Sequence, residues 1–179
     1  MTSEKDEAKI AVVGSGNFTT RVLLPALPNT GLSRKVLVSK TGVTAAHAAK
    51  KFGFQNMSTD FSEVVNDDEI DTVVITTRHD LHAGMVCESL QAGKNVFVEK
   101  PLALNLDEIN TVREAVMANP DLILMVGFNR RFSPHMTSLK EWTASVPGSK
   151  AILITVNAGA IPADHWTVSY THLTLPTKA

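Results

Sequence analysis

Several short stretches of the sequence carry residues whose types and spacing suit chemistry on a phosphate-bearing ligand. The first is Gly14-Ser15-Gly16-Asn17-Phe18-Thr19, which follows a β-branched run and opens a helical stretch reaching Leu27. Gly14 permits a tight turn, Gly16 lets the backbone approach a pyrophosphate, and the free amides at a helix start attract negative charge. Strand before and helix after make this the setting of a dinucleotide fingerprint. Thr19 stands where the third glycine is usual, so looser packing of helix on strand is predicted there, and Pro25 should kink or shorten the helix. The second stretch is Val38-Ser39-Lys40-Thr41, at the end of the next predicted strand. A carboxylate there would hold the two ribose hydroxyls of NAD, whereas Ser39 and Lys40 suit a 2′-phosphate, so NADP is favoured over NAD. An ordinary solvated lysine is the competing reading of Lys40. Two further runs, Thr76-Thr77-Arg78-His79-Asp80-Leu81-His82 and Glu99-Lys100-Pro101, each leave a predicted strand.

The elements that must position these loops follow from periodicity. Strands are predicted at residues 9–13, 35–38, 72–75, 95–98 and 122–126, and helices at 43–52, 81–92 and 106–118, the last started by Asn105 and carrying Ile109, Val112 and Val116 on one face. Alternating strands and helices imply an α/β fold, a doubly wound parallel Rossmann sheet with helices on both faces. In such a sheet ligands bind beyond the carboxyl ends of the strands, where all of these loops lie. After a predicted helix containing Leu139 and Trp142, the turn cluster at 145–149 leads to a further predicted strand at 151–157, read as the start of a second α+β domain.

With these residues in place the sequence resembles the Gfo/Idh/MocA family, the glucose-fructose oxidoreductase and inositol dehydrogenase group, over residues 9 to about 166. The resemblance rests on Glu99-Lys100-Pro101 preceded by Ala92-Gly93-Lys94, on the run from Thr77 to His82, and on Gly127-Phe128-Asn129-Arg130-Arg131-Phe132. It implies hydride transfer between NAD(P) and a hydroxyl or carbonyl carbon of a sugar, cyclitol or related polyol. It also implies that Lys100 serves the substrate oxygen and the accompanying proton, with its pKa lowered by burial. Glu99 would orient Lys100 or the cofactor, Pro101 would fix the backbone through a cis Lys100–Pro101 bond, and Thr76, Thr77, His79 and His82 would line the nicotinamide side. His79 and His82 can equally be solvated, and Arg130 and Arg131 either meet an anionic group or face water. Gly16-Asn17-Phe18 is similar to a branch of the family found alone or fused behind an alcohol dehydrogenase-like module, and a homo-oligomer is the other assembly implied. A nucleotide-binding regulatory or assembly module without turnover remains the alternative reading.

Bulk properties narrow the class. The 179 residues are 44% hydrophobic and 20% charged with a net charge of -1, which gives no basic field for nucleic acid. No apolar run approaches the ~20 residues of a membrane span, the amino-terminal MTSEKDEAK has no apolar core, and a cytoplasmic protein is expected. The single cysteine, Cys87, falls in an apolar helical pattern and reads as core filler. Asp67-Asp68-Glu69 reads as a solvated helix end, and no metal-ligand spacing appears. Residues 168–177, VSYTHLTLPT, are the translation of a stretch of a transposase-based sequencing adapter, so 168–179 is read as a non-native tail and Tyr170 and His172 are set aside. The expected organisation is therefore a nucleotide-binding domain at 1–148 with its linking helix, the start of a substrate domain at 149–167, and the tail. Such a fragment is expected to bind cofactor without turning over substrate.

Overall fold

The computed structural model describes residues 7–153 and 155. Six strands, β1 (Lys9–Val13), β2 (Ser33–Val38), β3 (Asn56–Ser58), β4 (Thr72–Ile75), β5 (Asn95–Glu99) and β6 (Leu124–Gly127), form one sheet in the order β3-β2-β1-β4-β5-β6. Every pairing is parallel. The order reverses between β1 and β4, which makes the crevice above their carboxyl ends the switch point of a Rossmann fold.

Period-two alternation in apolar strands builds two cores. Ala11, Val13, Val36, Val38, Val73, Ile75, Val96 and Val98 face one side, packed by helices α4 (His82–Gln91) and α5 (Leu106–Ala118) through Val86, Leu90, Val112 and Ala115. Ile10, Val12, Leu37 and Val74 face the other, against Leu24, Leu27 and Ala48 and Ala49 of α2 (Gly42–Phe52). Each valine, leucine or isoleucine among them, fully buried, contributes ~1.5–3 kcal/mol of transfer free energy. Cys87 lies in the first core, as its pattern predicts.

Several elements differ from the sequence reading. The helix after the glycine loop is broken into a π turn (Thr19–Leu23), one α turn, α1 (Leu24–Ala26), and a 3-10 turn (Leu27–Asn29), because Pro25 and Pro28 each lack the amide that would continue a ladder. β3 was not foreseen: its three residues, Asn-Met-Ser, have no apolar alternation, and pairing with β2 alone makes them a strand. The last strand sits at Leu124–Gly127 rather than 122–126. The helix α3 (Ser62–Val65) is too short for periodicity to reveal. Of the strand expected at 151–157, residues 151–153 and 155 have no regular secondary structure, since no ladder partner meets them among the described residues, and the others lie outside that range. The tail at 168–179 also lies outside it. Asn105 caps α5 as expected: its side-chain Oδ1 accepts from the Glu108 amide at 2.9 Å while the Glu108 carboxylate accepts from the Leu104 amide at 2.7 Å.

The acidic run before β4 is an ion-pair site, not a solvated helix end. Lys35 Nζ lies 2.7 Å from Asp67 Oδ2 and also donates to Glu69. Lys94 Nζ donates to the Asp67 carbonyl at 2.7 Å, which staples the amino-terminal edge of the sheet. Burial draws the Lys35 ammonium down, but the hydrogen bonds and charges of Asp67 and Glu69 outweigh it and leave Lys35 above its ordinary pKa. The hydrogen bond from Lys35 holds the Asp67 carboxyl below its usual range. A depressed carboxylate stabilises the fold above its unfolded pKa of about 3.9, and that contribution is lost as pH falls through the folded value. Lys35→Met is therefore expected to cost about 1–2 kcal/mol near pH 7. In urea melts the gap to wild type should begin to close as pH falls below about 5 and go on closing through the depressed folded value.

The chain divides into two compact units, the first ending at Gly127 and containing the whole sheet, the second beginning at Phe128. The second unit carries a 3-10 turn (Asn129–Phe132) and α6 (Pro134–Ser145), whose amino end is capped by Ser133.

Candidate cofactor and catalytic site

The site is assembled at the carboxyl ends of β1, β2, β4 and β5. The chain leaves β1 through Gly14, whose amide donates to the Val38 carbonyl at 2.8 Å and whose φ is +112°. A Cβ at this position would lie 2.6 Å from the Thr76 carbonyl oxygen, so the turn admits no side chain. At Gly16 a Cβ would meet nothing within 4 Å, which leaves its backbone open on the side where a pyrophosphate would approach.

Hydroxyl groups knit this loop to its neighbours. Thr19 is fully buried, and its hydroxyl donates to Thr76 Oγ1 at 2.8 Å. The Thr76 hydroxyl in turn faces the Val13 and Gly14 carbonyls at 3.1 and 3.3 Å. Where a third glycine is usual, a buried side chain therefore bridges the helix start and the end of the strand. Ser15 Oγ donates to Ser39 Oγ at 2.7 Å, which ties the glycine loop to the end of β2. Asn17 and Lys40 are exposed, Phe18 is half-buried, and Lys40 makes no ion pair among the described residues.

The two later motif loops meet through His82. This residue is completely buried, with Nδ1 donating to the Pro101 carbonyl at 2.7 Å and Nε2 lying 3.2 Å from the Thr77 carbonyl. It presents no surface to a ligand, contrary to the expectation that it lines the nicotinamide side. His79 is also buried, its ring edge-on to His82 at 5.6 Å between centroids. Burial, reinforced by the charges of His82 and Lys100, lowers the His79 pKa to about 4, so its imidazole is neutral at physiological pH. Thr76 and Thr77 are half-buried, and the Thr77 hydroxyl donates to the Arg78 carbonyl at 3.3 Å.

Lys100 is exposed at the end of β5 rather than buried among other groups, and the bond to Pro101 is cis, as expected. Beside it, burial pushes the Glu99 carboxyl up, partly offset by the Lys100 amide and by the charges of Lys100 and His82. Glu99 Oε1 is buried without a hydrogen-bond partner among the described residues. It lies against the Gly127 backbone, where a Cβ would stand 2.7 Å away. Thr19 and Gly127 are the residues whose parts the sequence reading did not foresee. Thr19 was visible only as a departure from a glycine pattern, and Gly127 only as the first letter of a motif. Arg130 and Arg131 belong to the second unit, on the Asn129–Phe132 turn, where both are exposed.

A glycine turn closed to side chains, an open backbone at Gly16 and an orphaned buried carboxyl at the same sheet edge fit a bound dinucleotide, and the fold is that of a nucleotide-binding α/β domain. The chain belongs to the Gfo/Idh/MocA oxidoreductase family with an NAD-binding Rossmann fold, whose pattern it matches over residues 8–128. It is 36% identical over 118 residues to levoglucosan dehydrogenase of Pseudarthrobacter phenanthrenivorans, covering 66% of this chain and 29% of that protein. Over 123 residues it is 36% identical to scyllo-inositol 2-dehydrogenase (NAD(+)) of Bacillus subtilis, covering 67% of this chain and 36% of the relative. Among solved structures, scyllo-inositol dehydrogenase from Lactobacillus casei with NAD(H) and scyllo-inositol bound superposes with a TM-score of 0.69 at 25% identity, covering 77% of this chain and 41% of that one. The chain thus spans about a third of the length of the curated relatives it matches. Among the described residues no helix is long and apolar enough to cross a membrane, and no group of metal-ligating side chains is found.

Proposed function

We propose that this chain is the cofactor-binding part of an NAD(P)-dependent dehydrogenase acting on a hydroxyl or carbonyl carbon of a sugar, cyclitol or related polyol. The observation that carries the reading is the sharing of one sheet edge by the open Gly16 backbone and Lys100. Gly14, Ser15, Gly16, Asn17 and Phe18 would hold the pyrophosphate, Ser39 and Lys40 the adenosine ribose, and Thr76, Thr77, His79, Glu99 and Pro101 would shape the nicotinamide side. Arg130 would meet an anionic group of cofactor or substrate. When bound, the nicotinamide supplies the hydride chemistry. Lys100 Nζ would bind the substrate oxygen and move the proton that accompanies oxidation or reduction there. The relatives named for levoglucosan and inositol support the polyol class. The reading includes a substrate domain beginning near residue 149, a cytoplasmic setting, and a homo-oligomer or a fused alcohol dehydrogenase-like module as the form of assembly. It also includes the expectation that residues 1–167 bind cofactor without appreciable turnover.

The finer proposal is that NADP binds more tightly than NAD. No carboxylate ends β2 to repel a 2′-phosphate, the Ser39 hydroxyl stands fixed by Ser15, and the exposed Lys40 ammonium is available to the added charge. Fluorescence titration should give about tenfold tighter binding of NADPH than NADH, equal to ~1.4 kcal/mol, with Lys40→Ala erasing most of the gap. Equal affinities, unchanged in that variant, would overturn the preference for NADP. Steady-state assays over a polyol panel, run beside the titrations, test the reaction: binding without turnover by a protein of the relatives' full length would favour a regulatory module.

A further inference from the structure

We propose that His82 is a positioning residue that sets the placement of Lys100, an inference that rests on the dehydrogenase reading for its catalytic consequence. The β4–β5 ladder ends with Ile75 opposite Val98, so the loops carrying Thr77 and Pro101 leave the sheet as separate strands of chain. His82, the first residue of α4, reaches both: Nδ1 to the Pro101 carbonyl at 2.7 Å and Nε2 to within 3.2 Å of the Thr77 carbonyl. The ring is wholly buried and backed by the His79 ring at 5.6 Å. An apolar side chain would fill such a position without the desolvation that an imidazole incurs. What the imidazole adds is direction, because an Nδ1–H bonded to the Pro101 carbonyl ties that loop to the start of α4, with the other edge of the ring set against the Thr77 carbonyl.

Lys100 needs that support. Its side chain is exposed, so its position follows from the backbone on either side, and Pro101, immediately after it, is the residue His82 holds. Displacing a reacting group by about 1 Å can cost on the order of 100-fold in rate. His82 therefore acts through Lys100 and touches neither cofactor nor substrate.

Three substitutions separate this role from core packing. In His82→Asn the amide nitrogen takes the place of Nδ1 and keeps the bond to Pro101. In His82→Gln the longer amide reaches toward Thr77 and loses Pro101, and His82→Leu keeps bulk and loses the bond to Pro101. The primary readout is the acylation rate of Lys100 by a soluble active ester, followed by peptide mass spectrometry on the cofactor-free protein, with NADPH affinity measured in parallel. The expected result is a changed Lys100 acylation rate in the Gln and Leu variants, restored in Asn, with cofactor affinity retained in all three. In active full-length enzyme kcat should fall by about 100-fold in Gln and Leu at little change in KM. Should Leu fail to fold, the Asn and Gln pair decides the matter. An acylation rate that is the same in wild type, Asn and Gln overturns the proposal. If wild type acylates as expected of a positioned lysine and binds cofactor but has no turnover, the dehydrogenase reading fails while the labelling comparison still judges His82.

Discussion

Gly14→Ala is expected to abolish detectable NADPH and NADH binding and to destabilise the fold by about 3 kcal/mol, the sum of ~1–2 kcal/mol for a non-glycine residue at positive φ and ~1–3 kcal/mol for overpacking. Two independent constraints act at this residue. Its φ of +112° lies outside what an L side chain readily adopts, and a Cβ would stand 2.6 Å from the Thr76 carbonyl oxygen and 2.7 Å from its carbon, both backbone atoms at the end of a central strand. Neither neighbour can swing aside as a flexible side chain would. Relief has to come from the turn itself, which displaces Ser15 and Gly16 and the amides that would receive the pyrophosphate. Gly16→Ala is the matched control: its Cβ meets nothing within 4 Å of protein, so it should fold normally while weakening cofactor binding. A thermal melt and a fluorescence titration on both variants check the pair, and a Gly14→Ala protein that melts and binds like wild type would contradict the geometry.

Lys100→Met is expected to leave cofactor affinity nearly unchanged and to lower kcat of the full-length enzyme by about 10²–10⁴-fold, the usual contribution of a positioned proton-transfer group and ~3–5 kcal/mol of barrier. Methionine keeps the length and most of the apolar stem while removing the ammonium. The exposure of Lys100 means that no core contact is lost, so a fall in stability should not accompany the fall in rate. Equal losses in kcat and in cofactor affinity would indicate that Lys100 binds the dinucleotide instead of serving the substrate oxygen.

What the sequence disclosed and what it concealed divide along physical lines. The central strands were legible because they are buried on both faces and therefore run continuously apolar, as in Val-Val-Ile of β4. The Gly14 turn was legible because positive φ at a strand end leaves a glycine in the sequence. β3 was hidden, since an edge strand of three residues, its one methionine exposed and its serine buried, is specified by its partner alone. The two histidines illustrate a different limit. His79 and His82 stand three apart at the same sheet edge, and their types invite the same role, yet His82 is turned fully inward by two carbonyl groups that come from loops 5 and 19 residues away in the chain. Lys35, Asp67 and Glu69 show the same limit at the opposite edge: each reads as a surface charge until parallel pairing brings distant segments together.

The bridge from Thr19 to Thr76 has a consequence for how the binding loop moves. A loop anchored by glycine packing alone can breathe without disturbing the layer beneath it, whereas here the anchor is a hydroxyl sealed inside the protein and bonded to the end of β4. Local opening of the loop has to break that buried bond, which couples its fluctuations to opening of the sheet. The Thr20 amide, which donates to the Gly16 carbonyl at 3.0 Å, should accordingly exchange with solvent as slowly as those of the adjoining strands. Affinity for a dinucleotide then depends on a surface held ready before the ligand arrives, so little ordering entropy remains to oppose binding.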